Sequence, residues 1–135
     1  MKKKTYPLYY GKEKQHFARS VVVGGLVFLS GMSGRTMETG NVSSADVKEQ
    51  MLVALDKVRA ALEEAGSDMD HIVKTVIYLK DVKDYALMRA TEWEYWQEHA
   101  PGLIAEPPAS TFVMPASLAR ENMLVEIDVV ACLKE

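Results

Sequence analysis

The stretch Met123-Leu124-Val125-Glu126-Ile127-Asp128-Val129-Val130-Ala131-Cys132-Leu133 predicts the last strand of this chain, and through it the fold. Side chains alternate across a strand with a period of two. One face therefore carries Met123, Val125, Ile127, Val129, Ala131 and Leu133, all apolar, and belongs on a core. The other carries Leu124, Glu126, Asp128, Val130 and Cys132. A face open to water would hold lysine, threonine or glutamate at most positions. This mixed face is instead expected to be covered, by another subunit or by a ligand. An unpaired charge is costly to bury, so Glu126 is the first candidate for chemistry.

Working back from that strand, residues 72–79 are β-branched and mostly apolar, which predicts a central strand. Before it, Val47, Met51, Leu55, Val58, Leu62 and Ala65 recur at three- and four-residue steps. That stripe predicts an amphipathic helix, capped at Ser43 or Ser44 and ended at Gly66. A second helix is expected over 85–99, capped by Asp81 or Asp84, with Tyr85, Met88, Tyr95 and Trp96 buried and Pro101-Gly102 ending it. Residues 20–23 and 26–30 flank Gly24-Gly25 as a hairpin. Residues 31–41 form a glycine-rich loop, and residues 1–19, without a clear period, are expected as an arm (1–14) or a short edge strand. Pro107, Pro108 and Pro115 bracket a short strand over 109–113, at an edge or starting there.

The expected order is β-β-α-β-α-β-β. Two helices cannot cover both faces of a five- or six-stranded sheet, so they share one face in an α+β, two-layer arrangement. The mixed face of the last strand then implies a homo-oligomer.

Composition narrows the functions. The 135 residues predict one domain over 1–135. A net charge of −3 gives no electrostatic argument for nucleic acid. No segment approaches the roughly 20 apolar residues of a membrane helix, and 5–12 is no signal-peptide core. Cys132, the one cysteine, forms no internal disulfide, which fits a reducing, cytoplasmic setting. His16, His71 and His99 lack metal-ligand spacing, and Gly31-Met32-Ser33-Gly34 lacks the Lys-Ser of a phosphate loop. Neither a metal nor a cofactor is expected. Trp93, Tyr95 and Trp96 have no basic surround, so helix packing is preferred over base stacking.

Several motifs then carry a resemblance. Val23-Gly24-Gly25-Leu26-Val27-Phe28-Leu29-Ser30-Gly31 resembles the strand–turn–strand, ending in Ser-Gly, of the Rid/YjgF family. These are the reactive intermediate/imine deaminases, also called the L-PSP endoribonuclease family. Gln50, Leu62-Glu63-Glu64-Ala65-Gly66 and the segment 72–81 are similar to further family motifs. Pro108-Ala109-Ser110-Thr111 and Val125-Glu126-Ile127-Asp128 stand where its last two belong, so the resemblance spans about residues 15 to 133. It implies a chorismate-mutase-like fold, a homotrimer with sheets facing inward, and small-molecule pockets at the subunit interfaces. It also implies cofactor-free hydrolysis of enamines and imines such as 2-aminoacrylate to a carbonyl product and ammonia. In the family an arginine grips the substrate carboxylate and a glutamate positions water.

The chain departs from that pattern at the site. Glu126 matches the glutamate, but Ser110 stands where the arginine belongs. Phe17 replaces a tyrosine, Met32 a glutamine and Phe112 a cysteine, while Ser30 and Gly31 are kept. Arg89 and Arg19 fall at positions where the family carries smaller polar or apolar residues. Two readings follow. Arg89 or Arg19 supplies the missing cation and Glu126 acts on water; alternatively, the trimer binds a small metabolite without catalysis, Arg89 and Arg19 being ordinary surface residues.

Overall fold

Three strands open the chain in the computed structural model, which describes residues 1–135: β1 (Lys4–Tyr10), β2 (Glu13–Val23) and β3 (Leu26–Leu29). Gly24 and Gly25 turn β2 into β3 with φ of 58° and 81°. Both angles lie in the left-handed region, which a tight hairpin turn demands and glycine supplies without strain. A two-residue strand, β4 (Met32–Ser33), follows within the expected loop. Then come α1 (Val47–Glu64), β5 (Ile72–Leu79), α2 (Tyr85–His99), a short α3 (Gly102–Ala105), β6 (Ala109–Val113) and β7 (Val125–Cys132).

The strands form one mixed sheet in the order β1-β2-β3-β7-β5-β6, with β4 paired to β7 beyond the end of β3. Only β5 and β6 run parallel. β1 and β6 are the edges. Residues 4–10, expected as part of an arm or as an edge strand, take the edge position, and β2 starts seven residues earlier than the hairpin motif suggested.

The helices pack on one face, as the α+β reading required. Met51, Leu55, Val58 and Leu62 of α1 join Val125, Ile127, Val129 and Ala131 of β7 in a single buried cluster. The alternation of β7 is thus the one read from the sequence. Tyr95 ties the two helices together: its hydroxyl donates to Asp56 Oδ1 (2.6 Å) and accepts from Arg59 Nε (3.0 Å). No helix is long and apolar enough to cross a membrane.

Local details differ from expectation for identifiable reasons. Asp46, not Ser43 or Ser44, caps α1, accepting from Lys48 N at 2.7 Å; a carboxylate there also gains from the helix dipole. Ser44, two residues earlier, does not cap the helix; its hydroxyl accepts from Asp46 N. β7 begins at Val125 rather than Met123, and the Leu124 amide is taken by the Gln50 side chain. Tyr85 is not buried with Met88, Tyr95 and Trp96. It stands 37% exposed against Phe112 at the sheet edge, while Thr91 and Glu92 are buried instead.

Candidate functional site

Glu126 lies on the sheet face opposite the helices. Its register partners are Ser33 on β4 and Tyr78 on β5. The carboxyl rests on Gly31, where a Cβ would come within 2.6 Å of Glu126 Oε1. Only glycine admits that approach. Glu126 opens on a cleft of about 240 Å³ that is also lined by Tyr10, Phe17, Ser30, Arg35 and Met123. Burial pushes its pKa above the ordinary carboxylate value; Asp128 adds to the rise, while Lys57 and Arg35 oppose it. No side-chain hydrogen bond contributes to that balance. The carboxyl is therefore free to bind water or a polar ligand.

Lys57 stands behind the cleft. It is 4% exposed, and its ammonium donates to the carbonyls of Ser33 (3.0 Å) and Arg35 (2.9 Å). Burial and the like charge of Arg35 lower its pKa to about 8, against the pull of Glu126. This gives a stability prediction. Unfolded lysine titrates at about 10.4. Between about pH 8 and that value the unfolded chain holds a proton the folded chain lacks, so stability rises with pH. Tyr95 works in the opposite sense above about pH 10, because burial and Asp56 raise its pKa and the folded form keeps its proton longer. Urea denaturation from about pH 8 to about pH 9.5 is therefore expected to show about 1.5 kcal/mol of added stability, absent in Lys57→Met. A flat wild-type profile would contradict the burial of a titrating amine.

A second cluster sits at the β6 edge. Arg89 of α2 reaches Ser110 Oγ with Nη2 (3.1 Å), Tyr85 Oη with Nε (3.1 Å) and Glu92 Oε1 with Nη1 (2.8 Å). Burial disfavours the guanidinium charge, but the bonds to Tyr85 and Glu92 outweigh it and raise the pKa. Burial also raises the Glu92 pKa, against the pull of Arg89. Ser110 further accepts from Thr75 Oγ1 at 3.0 Å, and Phe112 meets Tyr85 edge-on at 4.9 Å. Thr75 pairs with core-facing Val129, so this cluster lies toward the helical layer. Glu126 points to the other face.

A family model described as Endoribonuclease L-PSP matches residues 12–133. The chain belongs to this family. It is 34% identical over 115 residues to the 2-iminobutanoate/2-iminopropanoate deaminase of Escherichia coli K12, covering 85% of each chain. A RutC family protein of Pyrococcus abyssi is 30% identical over 115 residues, 85% of this chain and 84% of the relative. The crystal structure of the Escherichia coli YjgF gene product superimposes with a TM-score of 0.80 at 32% identity, covering 96% of this chain and 94% of that one. Escherichia coli TdcF with bound serine gives 0.79 at 26% identity, with 89% and 90% covered.

Within this L-PSP-family chain the sequence-nominated residues divide into two groups. Glu126, Phe17, Ser30 and Gly31 share the cleft. Arg89, Ser110 and Phe112 share the β6 edge. Two stand apart from both. Met32 is 2% exposed and belongs to the core, because the alternation of β4 turns it toward the helices with Ile127. Arg19 sits where β2 bulges against Pro7 and Tyr6, and its Nη1 lies 3.4 Å from Glu64 of α1. Sequence reasoning missed Tyr10, Ser33, Arg35 and Lys57. A signal for Lys57 existed: Gln50, Ala54, Lys57 and Ala61 recur along one flank of α1, a face too small and regular to be solvated.

Proposed function

We propose that this chain hydrolyses a small enamine or imine, of the 2-aminoacrylate class, to a carbonyl product and ammonia. The pocket would be completed by a second copy of the chain in a homotrimer. The observation that carries the proposal is Glu126: a half-buried carboxyl without a side-chain hydrogen bond, resting on Gly31 and facing a cleft of ligand size. An enamine first takes a proton from solvent at its methylene carbon and becomes the iminium. Ionised Glu126 then accepts a proton from water as the oxygen adds to the C=N carbon and the π pair moves to nitrogen, giving a neutral carbinolamine. Glu126 returns that proton to the carbinolamine nitrogen, the C–N bond breaks to release ammonia, and the hydroxyl proton passes to solvent as the carbonyl forms.

Arg89 is the cation assigned to the substrate carboxylate. A guanidinium has five N–H donors. Three are used on Tyr85, Glu92 and Ser110, so two remain. Within one chain Arg89 and Glu126 point to opposite sides of the sheet. Their cooperation therefore needs two copies, and the helix-free face, with Phe28 40% exposed beside Val130, has the apolar character such packing uses. The deaminase activity named for the 34%-identical Escherichia coli relative supports the reaction class. The single cysteine is the reason for placing the protein in the cytoplasm.

The alternative is a non-catalytic trimer binding a small metabolite, and the Arg89–Glu92 pair favours it, since Glu92 already neutralises the cation. Ammonia release from freshly generated 2-aminoacrylate and from a bulkier 2-imino acid separates the two. Deamination predicts turnover by the wild type and a fall in kcat/KM of about tenfold or more in Arg89→Met, the loss expected for one charge-assisted pair, and mainly in KM. An inert wild type that gains activity in Ser110→Arg would establish the binding reading instead.

A further inference from the structure

Two charged side chains are buried in this chain, Glu92 and Lys57. Glu92 has Arg89 at 2.8 Å; Lys57 has no carboxylate partner within an ion-pair distance and spends its bonds on two backbone carbonyls. Both carbonyls belong to the wall of the Glu126 cleft. Ser33 is the register partner of Glu126 across the β4–β7 pairing, and Arg35 lines the cleft beside it. We propose that Lys57 is a positioning residue of the Glu126 site: an internal ammonium whose two bonds fix the cleft wall and whose charge favours the ionised carboxyl. This rests on Glu126 being the working carboxylate.

Burying an ammonium is costly, and an apolar side chain of similar length would fill the same space without that cost. The cost has a counterpart in the charges around it. On β7, Glu126 attracts Lys57, and Asp128 follows on the same face as Glu126. On the loop and on β2, Arg35 and Arg19 repel it. On β1, the Tyr10 ring lies 5.7 Å from Nζ, and Asp56 precedes Lys57 on α1. Burial and Asp128 push Glu126 toward its neutral form, which cannot take a proton from water. Lys57 acts against both. Arg35 also helps, but its side chain is committed to the Gly40 carbonyl (2.7 Å) and to the Tyr10 ring (4.0 Å), and it is less buried than Lys57. Lys57 is shielded from solvent, so its field on Glu126 is less screened by salt.

Carbon-13 NMR of glutamate labelled at the side-chain carboxyl reads the Glu126 titration directly, with Glu126→Gln assigning the resonance. It needs no substrate, so a protein inert toward imines would still return a result, and failure of the deaminase reading stays distinct from failure of this one. In the full chain, Lys57→Met is expected to raise the proton affinity of Glu126 on the order of tenfold, about one pKa unit. Lys57→Arg, which keeps the charge, is expected to restore the wild-type midpoint. In the wild type a second, smaller inflection of the Glu126 resonance is expected near pH 8, where Lys57 titrates, and neither variant should show it. A Lys57→Met midpoint within about 0.3 unit of wild type would overturn the proposal. Should that variant fail to fold, a wild-type resonance flat from about pH 7 to about pH 10 overturns it equally.

Discussion

Glu126→Gln is expected to lower the rate of imine hydrolysis by a factor of about 10² to 10⁴, the range contributed by a positioned acid–base group. The amide has nearly the shape of the carboxyl and still fits over Gly31, but it cannot take a proton from water. The fold should not suffer. The pKa of Glu126 is raised, so its ionised form is held at a cost to the folded state at neutral pH, and a neutral amide removes that cost. Loss of activity with an unchanged or higher Tm is thus the signature of a catalytic carboxyl. A variant retaining activity within about tenfold would remove Glu126 from the chemistry. A variant that loses Tm instead would make it a structural interface group.

The second large effect concerns stability. Gln50 is 1% exposed and makes three bonds to backbone groups far apart in sequence. Its Nε2 donates to the carbonyls of Ser44 (2.8 Å) and Asn122 (2.9 Å), and its Oε1 accepts from Leu124 N (2.9 Å). It therefore fastens the start of α1 to the segment that leads into β7. Gln50→Leu keeps the volume but leaves three backbone groups without partners, at about 1 kcal/mol or more each. The expected loss is about 3 kcal/mol, a fall in Tm of roughly 10 °C for a chain of this size. Urea and thermal denaturation read it. A loss below about 1 kcal/mol would mean that water replaces Gln50. The effect should reach the cleft as well, because Met123, which follows Asn122, lines the same wall as Glu126.

Much of the fold was legible because its signals are local and periodic. The period of two in 125–132 and the helical stripe of 47–62 each assign a face without knowledge of the neighbour. The Gly24-Gly25 turn is likewise a local requirement. Misplaced details lay where a distant group decided the outcome. Gln50 captures the Leu124 amide, and Phe112 draws Tyr85 to the sheet edge.

The candidate site was legible only in part. Glu126 declared itself as a carboxylate on a face expected to be covered, and Arg89 as a cation at an unusual position. The sequence by itself determined the α+β layering, the two faces of the last strand and the family resemblance, because these depend on periodicity and short motifs. Only the tertiary structure decided that Arg89 stands 3.1 Å from Ser110, that Arg19 pairs with Glu64, and that Lys57 bonds the wall beneath Glu126. Those contacts join residues 21, 45 and 24 positions apart, across elements whose relative placement is set by how the whole core packs and by no local pattern.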